Sequence, residues 1–230
     1  MYVIQLKSEG GQSKNILIDL LNIKIDKMSY QLFKDDVLFY QRFLKAGGFY
    51  NGATDGSWGN LTNQADADFS AQTNSIAEQY GTFDKTSEAH IGTLLPKAQI
   101  EARKFLRIAK DNHTDVRILS GTRTYGEQNG LYAHGRNGNT KPVVTNAKGG
   151  QSNHNFGIAW DIGLFDGKGN YISADAGYKA FAAIVMRLMD SIEWGGNWIS
   201  FKDYPHYQLK PVTESVTKIR GLFESGQTYA

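Results

Sequence analysis

The stretch QSNHNFGIAWDIGLF, residues 151–165, decides the fold prediction. From residue 158 onward, apolar side chains alternate with small or polar ones, which predicts a strand with one buried face. The apolar positions are Ile158, Trp160, Ile162 and Leu164. Asp161 lies on the opposite face among small neighbours, and His154 precedes the strand and can fold back through Gly157. The stretch therefore predicts either half of a metal site or a polar turn that leads into a core strand.

The segment DYPHYQL, residues 203–209, predicts a second strand of the same sheet. Pro205 favours extended backbone before it, and alternation then places His206 and Gln208 on one face. If this strand pairs with the first, His206 meets Asp161 on the polar face. Two histidines and one aspartate match the three protein ligands of a catalytic zinc site. The chain has no cysteine, which excludes thiolate ligands and disulfides.

Two further polar residues are candidates for chemistry. Glu193 in EWGGNW is of the residue type that serves as general base in a zinc hydrolase. The alternative interpretation is that Glu193 is a solvated charge at a helix end. Arg123 in SGTRT follows a predicted strand and can bind a carboxylate or an oxyanion. Its alternative is a surface ion pair that contributes little.

The order of the predicted elements indicates an α+β fold, with a small antiparallel sheet and flanking helices. Helical periodicity begins at Pro96 and recurs over residues 174–190, whereas DVRILSG predicts a strand between them. The elements do not alternate as repeated βαβ units. A small helical module precedes this domain.

Four segments follow one another along the chain. The structure of residues 1–34 is left open between strand and helix, and residues 35–75 predict a module of helix, glycine-rich loop and helix. Thr62 is placed to cap the second helix of this module. Residues 76–92 have the mixed polar composition of a linker, and residues 93–230 form the predicted catalytic domain.

Composition limits the partners. The formal net charge of +2 on 230 residues does not predict a nucleic-acid binder. No stretch approaches the ~18 apolar residues of a membrane span, so membrane insertion is not expected. The start of the chain lacks the pattern of a secretory signal. We therefore expect a protein made in the cytoplasm, which something else must deliver if its target lies outside. We also expect a monomer.

Four segments together resemble a known family. They are SGTRTYGEQNGLYAHGR, VVTNAKGGQSNHNFGIAWDI, EWGGNW and DYPHYQ, and they fall within about residues 95–210. They resemble the VanY-like zinc D-alanyl-D-alanine carboxypeptidases and L-alanyl-D-glutamate endopeptidases, which include phage endolysins. The resemblance implies a hedgehog/D-Ala-D-Ala peptidase-like fold and an enzyme that cuts the stem peptide of bacterial peptidoglycan. L-alanyl-D-glutamate cleavage is favoured; D-alanyl-D-alanine carboxypeptidase activity and a non-catalytic hedgehog-like zinc-binding module are the alternatives. For a protein made in the cytoplasm, the resemblance implies release by a holin or export by a secretion system.

The resemblance also assigns roles to the candidate residues. It implies Zn2+ held at His154, Asp161 and His206. It implies Glu193 as the catalytic base and Arg123 as the residue that binds substrate or the oxyanion. The presence of Glu193 favours the enzyme over the binding module, because a zinc binder needs no base.

Three more positions follow from the same resemblance. Ser152 matches the serine of the S-x-H pattern, and Asp203 matches an acidic residue before P-H that orients a ligand histidine. His134 stands where the family has a polar residue other than histidine, and we expect it to contact substrate.

The helical module has its own resemblance. The segment VLFYQRFLKAGGFYNGATDGSWGNLTNQADADF resembles the small three-helix peptidoglycan-binding domain. Tyr50, Asp55 and Trp58 would then lie on or near its cell-wall binding loop. The alternative is that these residues only close a helical hairpin.

Overall fold

The computed structural model describes residues 27–210 and 215–229, with side chains from residue 34 onward. Most of the N-terminal segment 1–34, whose structure the sequence leaves open, lies outside the described residues.

Seven helices and five strands make up the described part of the chain. The helices are α1 (Lys27–Ala46), α2 (Asn60–Tyr80), α3 (Lys85–Ile91), α4 (Pro96–Asp111), α5 (Tyr125–Tyr132), α6 (Asp175–Leu188) and α7 (Val216–Ser225). The strands are β1 (Asp115–Ser120), β2 (Ala159–Phe165), β3 (Tyr171–Ile172), β4 (Ile192–Trp194) and β5 (His206–Leu209). A short 3-10 helix, Asn153–Phe156, precedes β2 and is called the His154 turn below. Among the described residues, no helix combines the length and apolarity needed to cross a bilayer.

The strands form one antiparallel sheet, which confirms the predicted α+β class. The strand order is β1-β2-β5-β4. The two-residue strand β3 also pairs with β2, at the end of β2. The apolar face of β2 is buried as its alternation predicts, with exposures between 0% and 3% at Ile158, Trp160, Ile162 and Leu164. β2 and β5 lie side by side at the centre of the sheet, so their polar faces share one surface.

Helix α4 covers the apolar face of the sheet. Phe105, which is fully buried, contacts the ring of Tyr207 at 4.6 Å, that of Phe181 at 5.2 Å and that of Trp160 at 6.0 Å between centroids. Pro96 occupies the first turn of α4, where its missing N–H breaks no helical hydrogen bond. The core therefore lies between α4, α6 and the sheet, and the opposite face of the sheet is left for the polar side chains.

Residues 35–75 contain most of α1, the glycine-rich loop and most of α2, and this unit, called the helical module, packs on the rest of the fold. Gln41, fully buried on α1, accepts from the backbone N–H of Gly56 at 2.9 Å and donates to the carbonyl of Ser57 at 2.9 Å. Thr62 is not the cap that the sequence predicts, because α2 begins at Asn60 after Gly59, and the buried Thr62 hydroxyl lies 3.3 Å from the Gln41 amide nitrogen. The module and the sheet share one hydrophobic core.

Residues 76–92, predicted as a linker, are instead the end of α2, a turn and helix α3. Asp84 caps α3 by accepting from the backbone N–H groups of Thr86 and Ser87, each at 3.0 Å. Glu88 forms a two-pronged ion pair with the buried Arg103, with both N–O distances at 2.8 Å. The polar residues that resemble a linker in composition are used for capping and for this ion pair.

Helix α7 returns the chain to the His154 turn. Phe223 on α7 packs between Phe39 of α1 at 5.3 Å and Phe156 of the turn at 5.5 Å. Beyond α7, the Tyr229 hydroxyl donates to the carbonyl of Phe156 at 2.7 Å. The His154 turn is therefore held by α7 and by Tyr229, which follow the sheet in sequence, and Phe223 of α7 also contacts α1, which precedes the sheet.

Candidate metal centre

The His154 turn reverses the chain so that His154 lies over the sheet. Gly157 ends the turn with φ of +70°, a left-handed conformation that favours glycine. A Cβ there would lie 2.7 Å from Phe43 Cε2 and 2.9 Å from Leu95 Cγ. The Leu95 N–H donates to the Gly157 carbonyl at 2.9 Å, and the Arg123 N–H donates to the His154 carbonyl at 3.1 Å. Close packing and backbone hydrogen bonds fix the imidazole of His154, which is only 1% exposed.

The register of the two central strands brings the other two predicted ligands together. Asp161 of β2 lies directly opposite His206 of β5. Asp161 Oδ1 is 3.0 Å from His154 Nε2 and 3.1 Å from His206 Nδ1. The two ring nitrogens are 3.2 Å apart. The three side chains therefore form one cluster of metal-ligand type, as the sequence predicts.

The outer nitrogen of each imidazole has a hydrogen-bond acceptor. His154 Nδ1 lies 2.8 Å from the carbonyl oxygen of Gly121, and His206 Nε2 lies 3.0 Å from Gln208 Oε1. Because an oxygen of this kind accepts, these two nitrogens carry the protons. The lone pairs of His154 Nε2 and His206 Nδ1 then point toward each other and toward Asp161.

Three acceptor atoms that converge in this way fit a metal cation. Ligand atoms about 2.0–2.1 Å from a tetrahedral ion stand about 3.3 Å apart, close to the distances in this cluster. Imidazole nitrogen and carboxylate oxygen suit borderline divalent ions of the first transition row. In other metalloproteins, a hydrogen-bond acceptor on the outer nitrogen orients each metal-binding histidine. Gly121 and Gln208 hold that position here. His154, Asp161 and His206 can thus hold three corners of a tetrahedral site.

The charges of the cluster suit this use. Burial disfavours an ionised Asp161, but the charge of His154 and the hydrogen bonds that both histidines donate to Asp161 when they are doubly protonated hold the pKa of Asp161 well below its usual value. Burial lowers the pKa of His154, which favours the neutral imidazole that binds metals. Burial also opposes protonation of His206, but the hydrogen bond and charge of Asp161 raise its pKa, so that a proton competes for the same nitrogen.

Arg123 and Asp203 accompany the triad. Arg123 Nη2 is 3.7 Å from Asp161 Oδ2, and its Nε is buried without a hydrogen-bond partner among the described residues. Burial lowers the pKa of Arg123, and the charges of Asp161 and Asp203 oppose that shift. The pKa of Asp203 is raised by its own burial and then by the charge of Asp161. Asp203, three residues before His206, therefore carries a carboxyl group with a reduced tendency to ionise.

Glu193 lies behind His206 rather than beside the triad. It stands opposite Gln208 in the register of β4 and β5. Its Oε2 accepts from Gln208 Nε2 at 2.9 Å, and Gln208 in turn contacts His206 on the ring nitrogen that faces away from Asp161. Two hydrogen bonds therefore connect Glu193 with the cluster.

Among the described residues, no hydrogen bond joins the side chain of Ser152 or His134 to the triad. Ser152 precedes the His154 turn in extended backbone and gives the turn no side-chain cap. Its carbonyl accepts from the N–H of Asn155 at 2.9 Å. His134 is half-buried just after α5, and within the described residues its side chain makes no hydrogen bond with the triad.

The three residues predicted for cell-wall binding divide into two kinds. Tyr50 donates to the carbonyl of Ala53 at 2.7 Å, and Asp55 accepts from the N–H of Ser57 at 2.8 Å, so both close the loop between α1 and α2. Trp58 is 43% exposed and stacks on Tyr40, with ring centroids 5.7 Å apart and planes 4° from parallel. Of the three, Trp58 is the residue whose ring is available to a ligand, and its binding role stays a prediction.

The sequence assigns no role to two buried amides near the site. Alternation correctly predicts that Gln208 shares the strand face of His206, but it does not indicate that Gln208 contacts the His206 ring. Asn153 Nδ2 donates to Gln208 Oε1 at 2.6 Å, which no local pattern indicates. Together they fix the surroundings of the His206 ring.

The fold is an α+β domain, and its sheet carries a cluster of two histidines and one aspartate that could hold a metal ion, with an arginine beside it. Residues 145–209, which include all three ligands, match the D-alanyl-D-alanine carboxypeptidase family. The chain is 38% identical over 112 residues to the peptidoglycan L-alanyl-D-glutamate endopeptidase CwlK of Bacillus subtilis (strain 168). That alignment covers 45% of this chain and 65% of the relative, slightly less than two thirds of its length. These matches confirm the family resemblance predicted from the sequence.

A solved structure is also similar to part of the chain. The L-Ala D-Glu endopeptidase ChiX of Serratia marcescens aligns with a TM-score of 0.43 and 24% sequence identity, over 56% of this chain and 89% of that chain.

Proposed function

We propose that the protein is a zinc-dependent peptidase that cuts the stem peptide of bacterial peptidoglycan at the bond between L-alanine and D-glutamate. The proposal rests on the convergence of His154 Nε2, Asp161 Oδ1 and His206 Nδ1, which lie 3.0 to 3.2 Å from one another. This is about the distance between two ligand atoms of a tetrahedral metal ion. This cluster lies inside the segment that matches a peptidase family.

Zinc is the metal that the ligand set favours. Two histidines and one carboxylate are a common ligand set of catalytic zinc, which keeps a fourth position for water or substrate. When bound, the ion supplies Lewis acidity and lowers the pKa of a coordinated water to about 7. The remaining work falls to side chains of the chain itself.

Asp203 is our candidate for the general base. A carboxyl group with a raised pKa can take a proton from water near neutral pH and return it to the leaving amine. The sequence assigns this role to Glu193, but the side chain of Glu193 is engaged by Gln208 on the far side of His206. The charges of Asp161 and His206 act on Asp203, whereas the Glu193 carboxylate is held by Gln208, and on this ground we favour Asp203.

Arg123 is the candidate for binding the negative charge of substrate or of the tetrahedral intermediate. Its guanidinium lies at the outer oxygen of Asp161 and has a buried N–H without a partner among the described residues. A preorganised donor of this kind is worth most where charge develops in a poorly solvated site.

The choice of bond rests on the relatives. The endopeptidase of Bacillus subtilis supports L-alanyl-D-glutamate cleavage, whereas the family description supports D-alanyl-D-alanine carboxypeptidase activity as the second candidate. The two reactions leave different products: new amino groups on D-glutamate in the first, and free D-alanine in the second.

The test is digestion of purified peptidoglycan by the full chain, with mass spectrometry of the released peptides. We expect new D-glutamate amino ends, which disappear with a chelator and return with zinc. Asp203→Asn should reduce the rate by about 10²–10⁴-fold, the usual range for loss of a general base. The control is Asp175→Asn, an exposed carboxylate at the start of α6. Free D-alanine would support the second candidate, and bound zinc without any peptide release would support the non-catalytic module.

A further inference from the structure

We propose that Glu193 is a positioning residue, which selects the ring nitrogen that His206 presents to the metal by orienting the side-chain amide of Gln208. This inference rests on the metal-binding part of the proposed function. It gives Glu193 a role that needs no contact with substrate.

The first step is the orientation of the Gln208 amide. A carboxylate only accepts hydrogen bonds, whereas an amide has one donating and one accepting end. Glu193 Oε2 lies 2.9 Å from Gln208 Nε2 and therefore requires the NH2 end of the amide on its side. The oxygen end of Gln208 is then turned toward His206.

The second step is the meeting of two donors at that oxygen. Asn153 Nδ2 donates to Gln208 Oε1 at 2.6 Å, and His206 Nε2 lies 3.0 Å from the same atom. Asn153 is 8% exposed and Gln208 is 4% exposed, so water competes poorly for the hydrogen bonds at this oxygen. The amide orientation is thus fixed from both ends.

The third step is the tautomer of His206. A proton on Nε2 leaves the lone pair on Nδ1, which lies 3.1 Å from Asp161 Oδ1 and faces the cluster. Without Glu193 the amide can rotate by half a turn and present its NH2 group to Nε2, because Asn153, whose side-chain oxygen has no partner among the described residues, can turn its own amide to accept from it. That arrangement favours a proton on Nδ1, which points at the metal position and must be removed before binding.

His154 shows why this arrangement is needed at one histidine and not at the other. Its Nδ1 donates to the backbone carbonyl of Gly121, whose direction is set by the main chain. His206 relies instead on a side-chain amide, which can be turned either way. Glu193 supplies the missing constraint.

The experiment is a double-mutant cycle on zinc affinity, measured with the full chain by competition with a fluorescent chelator. We expect Glu193→Ala and Gln208→Leu each to weaken zinc binding by about 10–100-fold, the usual range for loss of a partner behind a metal ligand. The double variant should bind no more weakly than Gln208→Leu alone, because Glu193 acts only through Gln208. Losses that multiply, or an unchanged affinity in Glu193→Ala, would overturn the proposal.

Two more variants separate positioning from other roles. Glu193→Gln keeps an oxygen that can face Gln208, and it should restore most of the zinc affinity. Glu101→Ala is the matched control, because Glu101 is a buried carboxylate that contacts Ser191, next to β4. An equal loss of zinc affinity in this control would assign the effect to general destabilisation and overturn the proposal.

The same measurements distinguish this proposal from the proposed function. Wild-type protein that binds no zinc would refute the metal centre itself. Wild-type protein that binds zinc, with Glu193→Ala unchanged, would refute only the role of Glu193. At saturating zinc, Glu193→Ala should lose far less turnover than Asp203→Asn, and an equal loss would show that Glu193 acts in the chemistry instead.

Discussion

Replacement of Gly157 by alanine should lower the free energy of unfolding by about 2–5 kcal/mol. Its φ of +70° penalises a residue with a Cβ by about 1–2 kcal/mol. The added Cβ would also lie 2.7 Å from Phe43 and 2.9 Å from Leu95, and overpacking of this kind adds about 1–3 kcal/mol. The two contributions come from different causes, so a control can separate them.

Gly138→Ala is that control. Gly138 has φ of +83°, but a Cβ there would meet no heavy atom within 4 Å. It should therefore lose only the backbone contribution of about 1–2 kcal/mol. Urea unfolding followed by tryptophan fluorescence gives both values. Equal losses in the two variants would show that the added methyl group is accommodated beside Phe43 and Leu95 at no cost, and would refute the packing argument.

Gly157→Ala should also weaken zinc binding, whereas Gly138→Ala should not. The strained turn carries His154, and a ligand displaced by a fraction of an ångström loses its geometry. Chelator competition measures this effect separately from stability. An unchanged zinc affinity in folded Gly157→Ala would show that the turn does not set the position of His154.

Three further predictions concern the core and the metal. Tyr207→Phe should raise the melting temperature by the equivalent of about 1 kcal/mol, because the buried Tyr207 hydroxyl has no hydrogen-bond partner among the described residues; a lower melting temperature would contradict this. Burial raises the pKa of both Tyr207 and Tyr229 above the ordinary 10.0, so the unfolded chain loses these protons first as pH rises. The two tyrosines should therefore not affect the free energy of unfolding below pH 10, and each should lower it above pH 10 by up to about 1.4 kcal/mol per pH unit. Urea unfolding between pH 8 and 11 that shows no such decrease would refute this prediction. Zinc at 100 times its Kd should stabilise the fold by about 2.7 kcal/mol in thermal unfolding, and His154→Ala should abolish most of this gain; full stabilisation of the variant by zinc would place the ion elsewhere.

Local alternation was sufficient to predict the core of the site. The period of two in residues 158–164 and 206–209 placed Asp161 and His206 on polar faces, and antiparallel pairing then brought them together. His154 was within reach because Gly157 allowed the reversal just before β2. These features depend on residues close in sequence, which is why they could be predicted.

The surroundings of the triad depend on tertiary register instead. The pairing of β4 with β5 places Glu193 opposite Gln208, and the burial of Asp203 follows from packing of the whole chain. Composition could not distinguish a linker from the cap and ion pair that Glu88 and its neighbours form within residues 76–92. In the helical module, the exposure of Trp58 likewise follows from packing against Tyr40 rather than from the loop sequence.

The hydrogen bond from Tyr229 to Phe156 has a consequence for the order in which the protein assembles. It joins residues 73 positions apart, and its acceptor lies two residues beyond His154. Contacts between residues so far apart in sequence form late in folding. The entropy of closing the intervening chain is lost before such contacts stabilise the structure. During synthesis, the segment that follows α7 emerges well after all three ligands. We therefore expect zinc affinity to be acquired in the last phase of folding, after the sheet itself has formed.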